Sequence, residues 1–233
     1  MLLGFSTGSS YKFLDLKNND EANSIIYFFR LLRENIDFNC LEIILTEEII
    51  NTFFKISEQN FEWLKSLDYL SFHLINEKYN NEKVFKLFNN INYKIICHSD
   101  EYFLLSKNFR GKYTKNILLE NIDYDKIEYG HDYDLCFDIA HAETIGKVRS
   151  YYNEYFDNIK EIHFSKHIKT KVVNSDKKII TEHHLPIVRF DKIEELKILK
   201  DCKIPVIIEG GCDSCLEMIN EFYYIKKYIK GKK

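Results

Sequence analysis

Eight short apolar runs recur along this chain, separated by longer amphipathic segments, and few folds accommodate that alternation. The runs are LLGFS (2–6), CLEIIL (40–45), YLSFHL (69–74), YKIICH (93–98), NILLEN (116–121), DLCFDI (134–139), IKEIHF (159–164) and PVIIEG (205–210). Each has strand length and is rich in Ile, Leu, Phe or Val. Between them, EANSIIYFFRLLRENI (21–36) sets Ile25, Ile26, Phe29, Leu32 and Ile36 on one helical face. SEQNFEWLKSL (57–67), capped by Ser57, and NEKVFKLFNNI (81–91) read as helices in the same way. So do AETIGKVRSYYNEYFDNI (142–159), DKIEELKILKDC (191–202) and CLEMINEFYYIKKYIK (215–230). Only DYDKIEYGHDY (123–133) joins the fifth and sixth runs, so the helix there is expected to be one turn or missing. Repeated βα units leave a closed barrel or an open doubly wound sheet. Eight strands favour the barrel, so the expected fold is an α/β (β/α)8 TIM barrel, one domain over residues 1–233. Gly210-Gly211 is too little for the glycine-rich dinucleotide fingerprint of the open sheet.

Composition removes several function classes. A 45% apolar and 30% charged chain of 233 residues is that of a soluble globular protein with room for one substantial core. No apolar run reaches membrane-spanning length, and MLLGFSTGSS lacks the basic start of a signal peptide. The six scattered cysteines read as reduced thiols, which makes a cytoplasmic location the expectation. A net charge of −3 disfavours a non-specific nucleic-acid coat and still permits a local basic groove.

A barrel of this kind carries its active site where the strands end at their C-terminal side. Strand three reaches His73, strand four His98 and strand five Glu120. Strand six ends on Asp138 with His141 one turn beyond, strand seven carries His163, and strand eight ends on Glu209. The connection after strand seven adds Glu182, His183 and His184. Of the eight histidines, only His131 and His167 fall outside the pattern. A lone histidine at a strand end is ordinarily a hydrogen-bonded core or rim residue, and Glu120 or Glu209 alone could cap a turn. Together they differ, because carboxylates converging without cations resist joint ionisation and a divalent ion removes that cost. Imidazole with carboxylate oxygen and no thiolate suits Zn, Mn, Fe(II) or Co. The donors outnumber what one ion can use, which points to two or three ions sharing a bridging carboxylate.

These residues resemble the xylose-isomerase-like TIM barrel superfamily (AP endonuclease family 2), and the ligand set is most similar to the endonuclease IV family. The motifs are ILLEN, FDIAHA, EIHFS, EHHLPI and VIIEG, and the resemblance runs from GFSTG to IIEGG. It implies a DNA-repair hydrolase for abasic sites, with up to three zinc ions. Glu120 would bridge two ions, one completed by His73 and His98 and the other by Asp138, His163 and Glu209. His141, His184 and Glu182 would hold the third, with Glu182 standing where the family has aspartate. A metal-bridging hydroxide would attack phosphorus. Several neighbours depart from the nuclease pattern: Leu74-Ile75-Asn76 after His73, Ser165-Lys166 after the strand-seven histidine, and Val188-Arg189-Phe190 after HLPI. The sugar isomerases and epimerases of the superfamily imply the alternative, a single Mn, Mg or Co ion on Glu120, Asp138, His163 and Glu209. Glu120 and Glu209 would then shuttle a proton beside a sugar carbonyl, and they are the catalytic candidates. The implied partner is damaged DNA or a phosphorylated small molecule, with no membrane involved. In the lysine-rich segment 165–180, Lys166 and Lys169 are the candidates for phosphate contacts. Cys212 and Cys215 form a CxxC without a second pair, which reads as helix residues near the mouth. The FSTGSS turn could offer hydroxyls or amides to a phosphate, but an ordinary turn accounts for it.

Overall fold

Each of the eight runs forms a strand. They are β1 (Leu3–Ser6), β2 (Cys40–Leu45), β3 (Tyr69–Leu74), β4 (Tyr93–His98), β5 (Ile117–Glu120), β6 (Leu135–Asp138), β7 (Ile159–Phe164) and, last in the chain, β10 (Val206–Ile208). In this computed structural model the described residues are 2–14, 20–74, 82–88, 91–99, 101–121, 132–170, 180–191, 193–200 and 202–230. For 82, 83, 103, 168–170 and 180–183 only the backbone is described. The eight strands pair in parallel and close into a barrel in the order β1-β2-β3-β4-β5-β6-β7-β10. The expected (β/α)8 TIM barrel is the fold.

Strand alternation divides the core in two. Leu41, Ile43, Leu70, Phe72, Ile95, Leu119 and Phe137 face outward and pack beneath the helices in one continuous apolar layer. Its centre is aromatic: Phe72 meets Phe53, Phe85 and Phe88 at ring distances of 5.9, 5.7 and 5.1 Å. The alternate positions point into the barrel. Cys40, Tyr69 and Ile207 form one small apolar group there, and Ile96, Leu118 and Cys136 another. The rest of the interior is polar, unlike the branched apolar filling usual for this fold. Glu42, Ser71, His73, Glu120, Asp138, Glu161, His163 and Glu209 are all buried.

Helices α1 (Glu21–Arg33), α2 (Glu47–Phe53), α3 (Glu58–Lys65), α4 (Glu82–Lys86), α5 (Lys107–Tyr113), α6 (Ile139–Thr144), α7 (Val148–Glu154) and α8 (Cys215–Ile229) connect the strands. Ala22, Ile25, Ile26, Phe29 and Leu32 are the buried face of α1. Ser57 caps α3 by accepting from Asn60 N at 3.2 Å. The helix expected over 142–159 begins earlier, at Ile139, and is two helices. Gly146 adopts φ +67°, and its N–H and that of Lys147 close on Glu143 and Ala142 carbonyls, a left-handed stop. The segment expected as helix 191–202 is instead a 3-10 turn over Glu194–Leu199. An antiparallel hairpin, β8 (Lys166–Thr170) with β9 (Ile180–Leu185), stands where only a long connection was expected. Residues 122–131 between β5 and β6, His131 among them, and Ile75, Asn76, Lys171, Lys177 and Lys178 lie outside the described residues. Among the described residues no helix is long and apolar enough to cross a membrane.

Candidate metal centre

Glu120 is the residue around which the site is built. It ends β5, is 1% exposed, and directs its two oxygens at different imidazoles. Oε2 lies 3.0 Å from His73 Nε2 and 3.3 Å from His98 Nε2. Oε1 lies 2.7 Å from His163 Nδ1, which is also 3.1 Å from Glu209 Oε1. The strand register produces this: His98 pairs with Glu120, and Asp138 with His163, at the same level of adjoining strands.

Asp138 serves two local purposes at once. Its Oδ1 accepts from His141 N at 2.8 Å, capping α6, so the helix starts where the strand stops. Asn121 clamps its backbone, donating to Asp138 O and accepting from Asp138 N, both at 2.8 Å. The remaining Oδ2 is buried and accepts no hydrogen bond. His184 Nδ1 stands 3.9 Å from it, 3.3 Å from Glu209 Oε2 and 3.1 Å from Ser165 Oγ. The His141 and His184 rings are 5.5 Å apart. His184 holds φ 57°, left-handed for a non-glycine residue, a strain of about 1–3 kcal/mol that recurs at functional sites. Its carbonyl is held by Gly211 N at 2.7 Å.

Among the described residues, five groups of donors lie mutually within 4.8 Å: His73, His98 and Glu120; Glu120, Asp138, His163 and Glu209; Asp138, His141 and His184; Glu42, His73, His163 and Glu209; and Glu120, Cys136 and His163. The structure brings together eight of the nine sequence-derived ligands. The backbone of Glu182 is on β9, but its side chain is not among those described, and Asp138 is the carboxylate seen beside His141 and His184. Two further carboxylates sit deeper. Glu42 Oε2 is 2.9 Å from His163 Nε2 and 3.3 Å from His73 Nδ1. Glu161 accepts from Tyr69 OH at 2.6 Å and Ser71 Oγ at 2.9 Å, and lies 3.2 Å from His163 Nε2. Reading strand ends alone passes over both. The available signal was a charged residue inside an apolar run: Glu42 in CLEIIL, and Glu161 two positions before His163 and so on the same face.

The electrostatics are those of stacked opposite charges. Burial opposes ionisation of Glu120 and Glu209, but the imidazoles, His163 and His73 for one and His163 and His184 for the other, hold both well below the usual carboxylate range. Burial would lower His73 and His163, yet surrounding acidic groups raise both well above the ordinary imidazole value. For His184 burial is likewise outweighed, chiefly by Glu209, and it reaches about 9. Asp138 is pushed up to about 6 by burial, which the His141 and His184 charges only partly offset. Cys136 lies within reach of Glu120 and His163, and burial raises its thiol well above the ordinary value.

The residues fit a divalent ion. Buried acceptors Glu120 Oε2, Asp138 Oδ2 and Glu209 Oε2 take no hydrogen bond, and all three face imidazole nitrogens. One or more divalent ions on mixed imidazole and carboxylate donors at the barrel mouth is the arrangement these side chains can hold.

The surroundings revise the other candidates. Lys166 Nζ is taken by Glu143 and, at 3.1 Å, by Glu195. Lys169 is on β8 with its side chain outside those described. A cleft of 440 Å³ opens over His73, His98, Glu120, His141, His184 and Glu209, and among the described residues Lys12 is the lysine or arginine that lines it. The FSTGSS hydroxyls knit strands: Thr7 Oγ1 accepts from Ile44 N, and Ser9 Oγ donates to Ile208 O. Cys212 is buried and Cys215 half-buried, both free, with thiols raised by burial.

No protein-family profile matches the chain, and no curated protein matches it. Among solved structures it is similar to a zinc-chloride-soaked structure of the TTHB071 protein from Thermus thermophilus. The identity is 11% and the TM-score 0.39, with 100% of this chain and 98% of that one covered. That likeness is too distant to carry family or function.

Proposed function

We propose that this protein is a divalent-metal-dependent phosphodiesterase of the endonuclease IV kind, with zinc as its ion. The observation that carries the reading is Glu120, whose two oxygens address two separate imidazole groups. A carboxylate so placed could serve two ions, whereas a one-ion site would have no use for His73 and His98 on its far side. His141 and His184 beside Asp138 supply donors for a third ion. Bound divalent ions would supply Lewis-acid polarisation of a phosphoryl oxygen and lower the pKa of water.

The chain's own groups provide the rest. Glu120, Asp138 and Glu209 would hold the ions. Lys12 offers a cation to the same phosphoester from the wall of the cleft. Lys166, tied to Glu143 and Glu195, supports the hairpin instead.

The second reading is a sugar or sugar-phosphate isomerase or epimerase with one ion. It is favoured by the quartet Glu120, Asp138, His163 and Glu209, which is buried throughout and sufficient by itself for one ion. The test is incubation of zinc-loaded protein with duplex DNA carrying an abasic site. The phosphodiesterase reading expects nicking that chelator abolishes and that Glu209→Gln lacks. A protein that holds zinc but leaves this duplex and simple phosphodiesters intact, while interconverting an aldose and a ketose, contradicts it.

A further inference from the structure

Two side chains deep in the barrel stand close together without a hydrogen bond between them. Glu42, in the middle of β2, is 0% exposed, and neither of its oxygens accepts a hydrogen bond. Both ring nitrogens of His73 on β3 are likewise buried and take part in none. Yet Glu42 Oε2 lies 3.3 Å from His73 Nδ1 and 2.9 Å from His163 Nε2, and Glu120 Oε2 lies 3.0 Å from His73 Nε2. At His73 the distances suit hydrogen bonds and the directions do not.

A buried imidazolium would aim an N–H at each flanking carboxylate, because buried charges without aligned partners are costly. Donors around a metal ion are arranged differently. Each points its lone pair at the ion, so neighbouring donors sit close and misaligned. With zinc bonds of about 2.0–2.1 Å, the edge between two tetrahedral donors is about 3.3 Å. The separation of Glu42 from His73 matches that edge, and its separation from His163 is somewhat shorter.

Glu161 supplies the contrast. It accepts from Tyr69 OH at 2.6 Å and Ser71 Oγ at 2.9 Å, and His163 Nε2 is hydrogen-bonded to it at 3.2 Å. The His163 ring is bonded to Glu120 through its other nitrogen, so it must release one of these two bonds to reach an ion. Glu161 keeps its two hydroxyl donors if the released bond is its own. Glu42 has no such donors among the described residues, and a cation is what its oxygens lack.

We infer that Glu42 is itself a metal ligand, forming with His73, His163 and Glu209 a closed ion position one layer below the barrel mouth. Donor atoms of these four residues lie mutually within 4.8 Å, and all four residues are buried. Four protein ligands without an open position make a structural ion, and mixed imidazole and carboxylate donors suit zinc. An ion there ties β2, β3 and β7 to the end of β10. His73, His163 and Glu209 also belong to the mouth groups, so this position fixes where one ion of the cluster lies and does not add to their number. The inference rests on the metal-centre reading above and extends its donor set inward.

Crystals of the zinc-loaded wild-type chain, measured on both sides of the zinc absorption edge, locate the ions directly. An anomalous peak is expected within about 2.0–2.2 Å of a Glu42 oxygen and of a His73 or His163 nitrogen. Zinc confined to the mouth, with none bonded to Glu42, overturns the inference and leaves the mouth centre intact. A wild-type chain that takes up no zinc removes the metal-centre reading and this inference with it. Elemental analysis gives a second readout: folded Glu42→Gln is expected to retain one ion fewer than wild type, and Glu161→Gln the wild-type number. A folded Glu42→Gln with the wild-type number overturns the inference.

Discussion

Glu221 gives a prediction whose sign and size follow from the structure. It lies on α8, is fully buried, and accepts from the backbone N–H groups of Ile187 at 2.8 Å and Val188 at 3.1 Å. Those residues directly follow the His184-Leu185-Pro186 segment, so Glu221 moors the strand end that carries His184. Burial pushes its carboxyl up to about 7, because two amide donors do not replace the lost hydration. The unfolded chain ionises it near the ordinary 4.5. A folded pKa above the unfolded value contributes stability that is complete below the unfolded pKa and lost as pH rises through the folded one. Above pH 7 the ionised group therefore costs the native state about 3 kcal/mol relative to acid.

Glu221→Gln deletes that titration and keeps one acceptor for the two donors. Stability by urea unfolding of metal-free protein should be measured for both proteins from about pH 5 to about pH 8.5. The difference between variant and wild type is expected to move in the variant's favour by about 2–3 kcal/mol across that range. Its absolute value near pH 5 reports the lost hydrogen bond, about 1–3 kcal/mol against the variant. A difference that stays flat with pH would refute the claim that this carboxyl is raised by burial.

Further expectations concern the metal centre. Zinc binding near pH 7 releases protons, because His73, His163 and His184 are raised and must each free a nitrogen for the ion. Calorimetric titrations in buffers of different ionisation enthalpy should give a release of about three protons, the His184 share disappearing as pH passes about 9. Gly210→Ala places a Cβ 2.8 Å from Pro186 Cα and 3.0 Å from Pro186 N, so the His184 segment must shift. A stability loss of about 1–3 kcal/mol and weakened zinc uptake are expected, read by unfolding and chelator competition. Lys12→Met should weaken binding of inorganic phosphate to zinc-loaded protein, while Lys166→Met should lower stability and leave phosphate affinity unchanged, both read by calorimetry.

The barrel and most of the centre were legible in the amino-acid order for a simple reason. Asp138 closes an alternating apolar run and Glu120 does the same on β5, so period-two patterning delivers both side chains to one end of the barrel. His73, His98 and Glu209 follow by the same rule. The deeper layer was not legible that way. Glu42 and Glu161 lie below the strand ends, and what they do depends on His73 and His163 reaching them across the barrel, which no local pattern encodes. The β8–β9 hairpin was also hidden, since KHIKT and ITEHHL carry too few apolar residues to signal strands. AETIG reads as continuous helix by periodicity, yet Asp138 caps it early and Gly146 ends it. Lys166 looked like a phosphate ligand on charge alone, and Glu143 and Glu195, distant in the chain, take it instead.

Metal stoichiometry tests the central claim most directly. The chain should be stripped with chelator, dialysed against zinc and freed of excess. Elemental analysis should then be read against protein concentration for the wild type and for Glu120→Gln. A bridging Glu120 predicts about three zinc ions per wild-type chain and the loss of more than one from the variant. A wild-type chain that holds one ion or none, or a variant that loses only a single ion, contradicts the multi-ion centre.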